Sequence, residues 1–324
     1  MDLYACGFNA HRQLASNGSP PGDRIRLQRI CGGNYTVRVL FAGWADTLWF
    51  GDHTGLKGAV SDDDAVYALS PRSDSLSFVR LPSLSKVKQI VVAGNGRACA
   101  LLNAREVVEF PLLQDLLQWL TTPSSVQSFE LPPYETATHL TAAATSFGLL
   151  TTSGTIYTWS SDTRPSPLGR PPTPIEPGPL AVDALGGVPI KKLACAGWLA
   201  AAVSRDNELY IWGGGGPGGT RKISDLEDVN GFESVALARV GATREGEDGV
   251  DVADVGVGDH HIVALSGEGR VFAVGEGTNG QLGAGEAEFS ERWVECEFEG
   301  PEQRGRAVGV HCGPRNTFVL VERA

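Results

Sequence analysis

The chain lacks most of the features that announce a particular chemistry. Its 324 residues include a single methionine. The start, "MDLYACGFNAHRQL", has no basic cluster and no long apolar core, so it does not read as a secretory signal. No run of about eighteen apolar residues is present that would span a bilayer as a helix. The six cysteines (Cys6, Cys31, Cys99, Cys195, Cys296, Cys312) lie far apart with no Cys-x-x-Cys pair. The chain therefore reads as reduced and intracellular, with several thiols acting as small buried hydrophobes in apolar runs. Asn34-Tyr35-Thr36 matches a glycosylation sequon and, without a secretory signal, reads as chance. Basic residues are scarce: 27 Lys and Arg stand against 38 Asp and Glu, for a net charge of −11. That balance excludes phosphate-driven binding to DNA or RNA and favours a partner with a basic face, or simply solubility.

Motifs of catalysis are missing too. Neither Gly-x-Ser-x-Gly nor His-Glu-x-x-His occurs. "GGGGPGGTRK" (213–222) lacks the Lys that a phosphate loop places after its last glycine, and reads as a blade connection. "VFAVGEGTNGQLG", from Val271, contains Gly275-x-Gly277-x-x-Gly280, but Gly283 and Gly285 follow too soon for the helix a dinucleotide loop must open. These glycines are expected to shape turns.

What the chain has in abundance is 41 glycines, 19 prolines and a repeat. Apolar runs broken by a small-residue turn recur around Gly43, Gly94, Thr145, Gly197, Gly258 and Gly313. A period near fifty residues indicates a propeller or an array. Each unit continues into a tight turn and a third apolar run, as at Thr152-Ser153-Gly154, Arg205-Asp206-Asn207 and Gly267-Glu268-Gly269. Short strands joined by such turns read as antiparallel meanders. The expectation is an all-β chain, residues 1–324 forming a single β-propeller domain. Six blades are favoured, and a seventh, degenerate one stays open as an alternative. The chain begins in the second half of a unit and ends in the first half of one. The terminal segments are thus expected to share a blade and close the ring. "PLLQDLLQWLTTP" (111–123) has leucines at helical spacing and predicts a short helical insertion. Residues 164–180 predict an exposed Pro-rich loop.

"VFAVGEGTNGQLG" and "LYACGFNAHRQLA" align Gly275 with Gly7, Gln281 with Gln13 and Leu282 with Leu14. Together with the Gly258-x-x-His261 spacing, they resemble the repeat of the regulator-of-chromosome-condensation family. The resemblance runs along the whole chain, strongest in the last and first units and eroded in the middle. It implies that the glycines and the Gln-Leu pair serve blade turns and packing. Within that family, the short stand-alone ring is similar to the small propellers associated with Elongator and diphthamide synthesis. This likeness implies a non-enzymatic interaction platform, monomeric alone and forming a heterodimer with a small cysteine-rich metal-binding protein. Such a platform would support Elongator-dependent modification of tRNA wobble uridines and diphthamide formation. It implies the cytoplasm, with the nucleus as a second location, no cofactor or resident metal, and no direct contact with nucleic acid or membrane. The alternatives are nucleotide exchange on a Ran-type GTPase, or an adaptor for a chromatin-modifying or ubiquitin-ligase enzyme.

The residues just after each anchor turn are expected on one rim of the ring. There stand Trp44, Arg97, Trp198, Asp259, His260 and Arg315, the residue types that anchor partners. His11, His260, His261 and His311 fall in the first and last units and form a candidate cluster, with turn and core hydrogen bonding as the plain alternative. The acidic stretches 245–254 and 286–299 are expected as loop or edge segments.

Overall fold

The computed structural model describes residues 1–8, 22–32, 37–42, 47–51, 67–69, 78–80, 87–122, 124–126, 128–162, 164, 167–173, 178–214, 223–227, 232–242, 247–299 and 305–323. Strands β1 (Asp2–Gly7) and β2 (Arg24–Gly32) open the chain. Two hairpins follow: β3 (Val37–Ala42) with β4 (Thr47–Gly51), and β5 (Tyr67–Leu69) with β6 (Phe78–Arg80). The next sheet takes β7 (Val87–Val92), β8 (Ala98–Leu102), β9 (Glu106–Phe110) and β10 (Ser128–Glu130), with helix α1 (Leu113–Thr121) between its last two strands. A third group is β11 (Ala137–Ala142), β12 (Phe147–Thr151), β13 (Ile156–Trp159) and β14 (Leu180–Ala181). Then come β15 (Ile190–Ala196), β16 (Leu199–Ser204), β17 (Leu209–Gly213) and β18 (Ala236–Ala238). The last two groups are β19 (Val252–Val257), β20 (His261–Ser266), β21 (Val271–Glu276) and β22 (Phe289–Glu295), and then β23 (Gly305–Gly313) with β24 (Asn316–Arg323). β24 pairs antiparallel with β1, from Asp2 opposite Val321 to Gly7 opposite Asn316, giving a sheet in the order β2-β1-β24-β23. The architecture is a β-propeller.

The described four-stranded meanders are antiparallel and pack their faces against neighbouring sheets or, in β7–β10, against a helix as well. Leu101, Val107, Leu140, Leu149 and Trp159 fill the space between the sheets of β7–β10 and β11–β14. Leu150, Ile156, Leu193 and Trp212 fill the next interface, and Leu199, Ile211, Val255 and Phe272 the one after it. Tyr4, Leu27, Val263, Leu282 and Val319 join the sheet of β19–β22 to the terminal one. Helix α1 seals the remaining face of β7–β10: Leu116 and Leu120 cover Ala98, Ala100, Val108 and Phe110. Each such leucine contributes about 2 kcal/mol by leaving water. Cys6, Cys99 and Cys296 are buried thiols within these layers, and burial pushes Cys195 up to about 12.

The terminal sheet is reinforced by charge. Asp2 accepts from Arg29 at 3.0 Å and from Arg323 at 2.8 Å. Burial works against its charge, but these bonds outweigh it and hold the carboxyl below its ordinary pKa. On the outer side, Leu27 forms a parallel bridge with Phe298, tying β2 to the chain that leaves β22.

The innermost strands β7, β11, β15, β19 and β23 lie side by side in chain order, yet they belong to separate sheets and do not form ladders with one another. Side chains bridge them instead. The Gln89 amide accepts from the Leu140 N–H at 2.8 Å and donates to the Leu140 carbonyl at 2.6 Å. The Thr141 hydroxyl stands 3.3 Å from both the Cys195 carbonyl and the Cys195 N–H. Lys192 pairs with Asp254 at 3.0 Å, and Asp254 accepts from the Val310 N–H at 3.1 Å. One sequence expectation is corrected here: the stretch 245–254 is no simple loop, since its end, Val252–Asp254, is inner strand. The stretch 286–299 is an edge segment as expected, because its β22 is the outermost strand of its sheet. Replacing Gln89 by Leu should strand the amide and carbonyl of Leu140 and cost about 1–3 kcal/mol, read as a lower urea midpoint with an unchanged m-value.

Candidate functional site

The candidate site is the end of the propeller at which the inner hairpins turn. Four of them close on two residues: Ala144–Thr145, Gly197–Trp198, Asp259–His260 and Pro314–Arg315. The β7–β8 hairpin closes on three, Gly94 to Gly96, with the Ala93 N–H bonded to the Arg97 carbonyl at 2.9 Å. This shifts the repeat alignment by one residue in several units. Gly258 and Gly313 are the last residues before their turns, whereas Gly197 lies within its own. Trp198, His260 and Arg315 consequently occupy one equivalent position, shared with the buried Thr145.

Backbone bonds link each turn to the next. Asn95 N–H donates to Ala144 O (2.8 Å), Ala144 N–H to Gly197 O (2.6 Å), Trp198 N–H to Asp259 O (3.4 Å), and Asp259 N–H to Pro314 O (3.1 Å). Gly197 must be glycine, since its φ is +48° and a Cβ would stand 2.1 Å from the Asp259 carbonyl oxygen.

The third strand of each sheet locks the turn from below. Gly7 and Gly213 end β1 and β17, and Gly275 is next to last in β21, with φ of +110°, +108° and +106°. A Cβ on any of them would collide with the carbonyl oxygen of Arg315, Trp198 or His260, at 2.4, 2.1 and 2.3 Å. The residue that follows each glycine donates its N–H to that same oxygen at 2.9 Å. In the β11–β14 sheet Ser160 stands at the glycine's position, and its hydroxyl makes the bond, donating to Thr145 O at 2.6 Å. Gly275, Gly277 and Gly280 thus serve close backbone approach, as expected; no helix follows them.

The turn backbones are thus held by two sets of bonds, while their side chains differ in exposure. Arg315 is exposed, and Trp198, Asp259 and His260 are half-buried. The Arg315 guanidinium reaches Asn279 at 3.3 Å. Burial raises the Asp259 carboxyl above its ordinary pKa, against the pull of His260 and Arg315. Arg97 stands apart from this group, because it pairs at 2.5 Å with Glu109, whose side chain is only 6% exposed. Glu109 also accepts from Trp159 (3.1 Å) and Ser161 (3.1 Å), so it joins two sheets. Beside it, Asn95 donates to Asp162 at 3.0 Å, and Arg164 grips the same carboxylate through two nitrogens. Glu109 and Asp162 carry no local sequence signal, since their partners lie in other strands and loops. Trp44 and His11 lie outside the described residues.

The expected histidine cluster does not form among the described residues. His260 faces the rim and His311 lies on an inner strand. His261 is fully buried, with Nε2 3.1 Å from the Thr317 hydroxyl, which donates in turn to Gln281 O at 2.7 Å. Among the described residues no three His, Cys, Asp or Glu side chains are arranged to hold a metal ion.

Models of the regulator of chromosome condensation (RCC1) repeat match residues 268–320 and, overlapping them, 252–281. The segment 252–320 is thus similar to the RCC1 repeat. The chain is 26% identical over 199 residues to human RCC1 domain-containing protein 1, covering 53% of this chain and 52% of that protein. It is 27% identical over 151 residues to the mitochondrial RCC1 domain-containing protein RUG3 of Arabidopsis thaliana, covering 45% of this chain and 32% of that one. The chain thus spans about half or less of these curated relatives. Solved structures with the same fold include human WBSCR16, at a TM-score of 0.58 and 17% identity over 98% of this chain and 81% of that one. Another is Prp20p from Saccharomyces cerevisiae, at 0.52 and 15% over 100% and 92%. The RCC1 models meet the chain where Gly258, His261, Gly275, Gln281 and Thr317 build the turn, the glycine lock and the buried histidine network.

Burial, with a smaller push from His260, holds His261 down to about 3. The unfolded chain takes up a proton near pH 6.5 that the folded state refuses. Stability from this residue is therefore whole above about pH 6.5 and is lost as pH falls toward 3. Replacing His261 by Asn should lower stability at pH 7 and flatten its dependence between pH 6.5 and 4, as read by denaturant melts across that range.

Proposed function

We propose that this chain is a non-catalytic interaction platform whose binding face is the turn rim. The observation that carries this reading is the equivalent placement of Trp198, His260 and Arg315 on a doubly locked backbone. Large aromatic and guanidinium groups on a rigid frame bind with little ordering cost. The connections that leave the third strand of each sheet start at this same end, so the rim is also where the chain varies most in length.

We read the β3–β4 and β5–β6 hairpins as parts of a sixth blade, with the terminal sheet closing the ring. The partner class that follows from the family resemblance is a small cysteine-rich metal-binding protein, in the setting of Elongator-dependent tRNA modification and diphthamide formation. The acidic balance of the chain suits a partner with a basic face. A second reading is nucleotide exchange on a Ran-type GTPase. It is favoured by the fold likeness to Prp20p, whose structure is described together with its binding to Gsp1p and histones.

Affinity capture from cells, followed by identification of the bound proteins, separates these readings. A small metal protein supports the first, a nucleotide-free GTPase with stimulated GDP release the second, and a chromatin or ubiquitin-transfer enzyme an adaptor role. The double variant Trp198→Ala, Arg315→Ala should weaken the captured partner at least tenfold with a melting temperature close to the parent's. A large fall in melting temperature would make these side chains part of the fold.

A further inference from the structure

Every inner strand from β7 to β23 carries one register shift, at the same place in the repeat. The residues at which pairing resumes are Gln89, His139, Lys192, Asp254 and Gly309. A bulge re-aims the side chain beside it, and here four of the five positions are polar.

Gln89 is taken up by the Leu140 backbone. Gly309 leaves room for Asp254, whose carboxylate lies 3.8 Å from where a Cβ would stand. Asp254 uses one oxygen on the Val310 N–H and the other on Lys192, whose side chain stays 40% exposed. His311, two residues past Gly309, completes the set. His139 and His311 belong to β11 and β23, with the sheets of β15 and β19 between them. The charge of Lys192 works against a proton on either imidazole, and His139 adds a smaller push against one on His311. The ion pair of Lys192 with Asp254 and the bond from the Val310 N–H to Asp254 tie β15, β19 and β23 together at this level, and His139 holds on β11 the bulge position that Lys192 holds on β15. His311 is crowded by neighbouring strands while remaining exposed to solvent.

The other charged residues of these strands point elsewhere. Lys191 bonds to Asn207 and Arg306 to the Gly267 carbonyl, both toward the opposite end of the sheets, and Lys88 is the exposed extra residue of its bulge. Among the residues whose side chains are described, the inner strands therefore present one ammonium and two imidazoles against a single carboxylate. An ammonium at the centre of the set suits an anion.

We propose that the inner wall binds a small oxyanion, a phosphate or carboxylate group, between Lys192, His139 and His311. Lys192 supplies the fixed charge, with donors to spare beyond the one Asp254 takes. The imidazoles supply N–H donors and take up protons as the anion arrives. Without an anion, enclosure and the charge of Lys192 keep both imidazoles neutral, His311 down to about 4. Affinity then rises as pH falls, by up to about tenfold per pH unit for each proton taken up.

Proton NMR of the histidine ring signals tests this on the whole chain, with inorganic phosphate and, separately, acetate added between pH 5.5 and 8. Either anion should raise the titration midpoints of His139 and His311, and the stronger response names phosphate or carboxylate as the ligand class. No response to either overturns the proposal. Lys192→Met should abolish the response and raise both midpoints in anion-free buffer. Lys191→Met removes the same charge one residue away and should change neither. Equal losses in the two variants would mean unspecific attraction and sink the idea. The wild-type titration decides alone if Lys192→Met fails to fold.

Discussion

The structure depends on how the inner edges of its sheets are satisfied. An inner strand is paired on one side only, and its other edge presents N–H and C=O groups that must find partners. Neighbouring inner strands are close, but they lie in different sheets and form no ladder. Polar side chains take over: Gln89 caps Leu140, Thr141 caps Cys195, and Asp254 caps Val310 while holding Lys192. At the rim, turn-to-turn backbone bonds do the same. Apolar layers between sheets supply most of the burial, and these polar bridges satisfy the inner edges that the ladders leave unpaired.

That division of labour explains where chemistry can sit. Along the rim, the backbone is fixed by carbonyl and glycine contacts common to several sheets, so the residue type at the second turn position can differ without changing that frame. Thr145, Trp198, His260 and Arg315 fill it in successive units, and no two are alike. Along the inner wall the bulge does similar work, placing glutamine, histidine, lysine, aspartate and glycine at one level. Variation at an equivalent position on an invariant backbone lets a ring of repeats acquire an asymmetric surface.

Much of this was legible in the residues. The fifty-residue period marked the repeat, turn residues marked the hairpins, and leucine spacing marked α1. The Gly275, Gly277 and Gly280 triplet read correctly as a backbone device, because the glycines that follow forbid the helix a cofactor loop requires. Other points were not legible. The repeat anchors were misplaced by one residue where Gly258 and Gly313 end a strand while Gly197 sits inside a turn, a difference that only pairing register defines. Arg97 carried the sequence character of a partner anchor, yet it is bound to Glu109. His261 belonged to a candidate cluster and is instead a core residue bonded to Thr317. That the charge of Lys192 bears on both His139 and His311 was invisible, since 172 positions in the numbering separate the two histidines.

The amino-acid sequence by itself determined what is local and periodic: short antiparallel strands, their tight turns, the helix, and the repetition that makes a propeller. Periodic patterning decides these because it acts between residues a few positions apart. The tertiary structure alone decided which side chains face outward on the rim, which are held by a neighbouring sheet, and which converge on the inner wall. Those outcomes depend on register, bulges and packing between sheets, where one residue's offset turns a side chain from solvent to core.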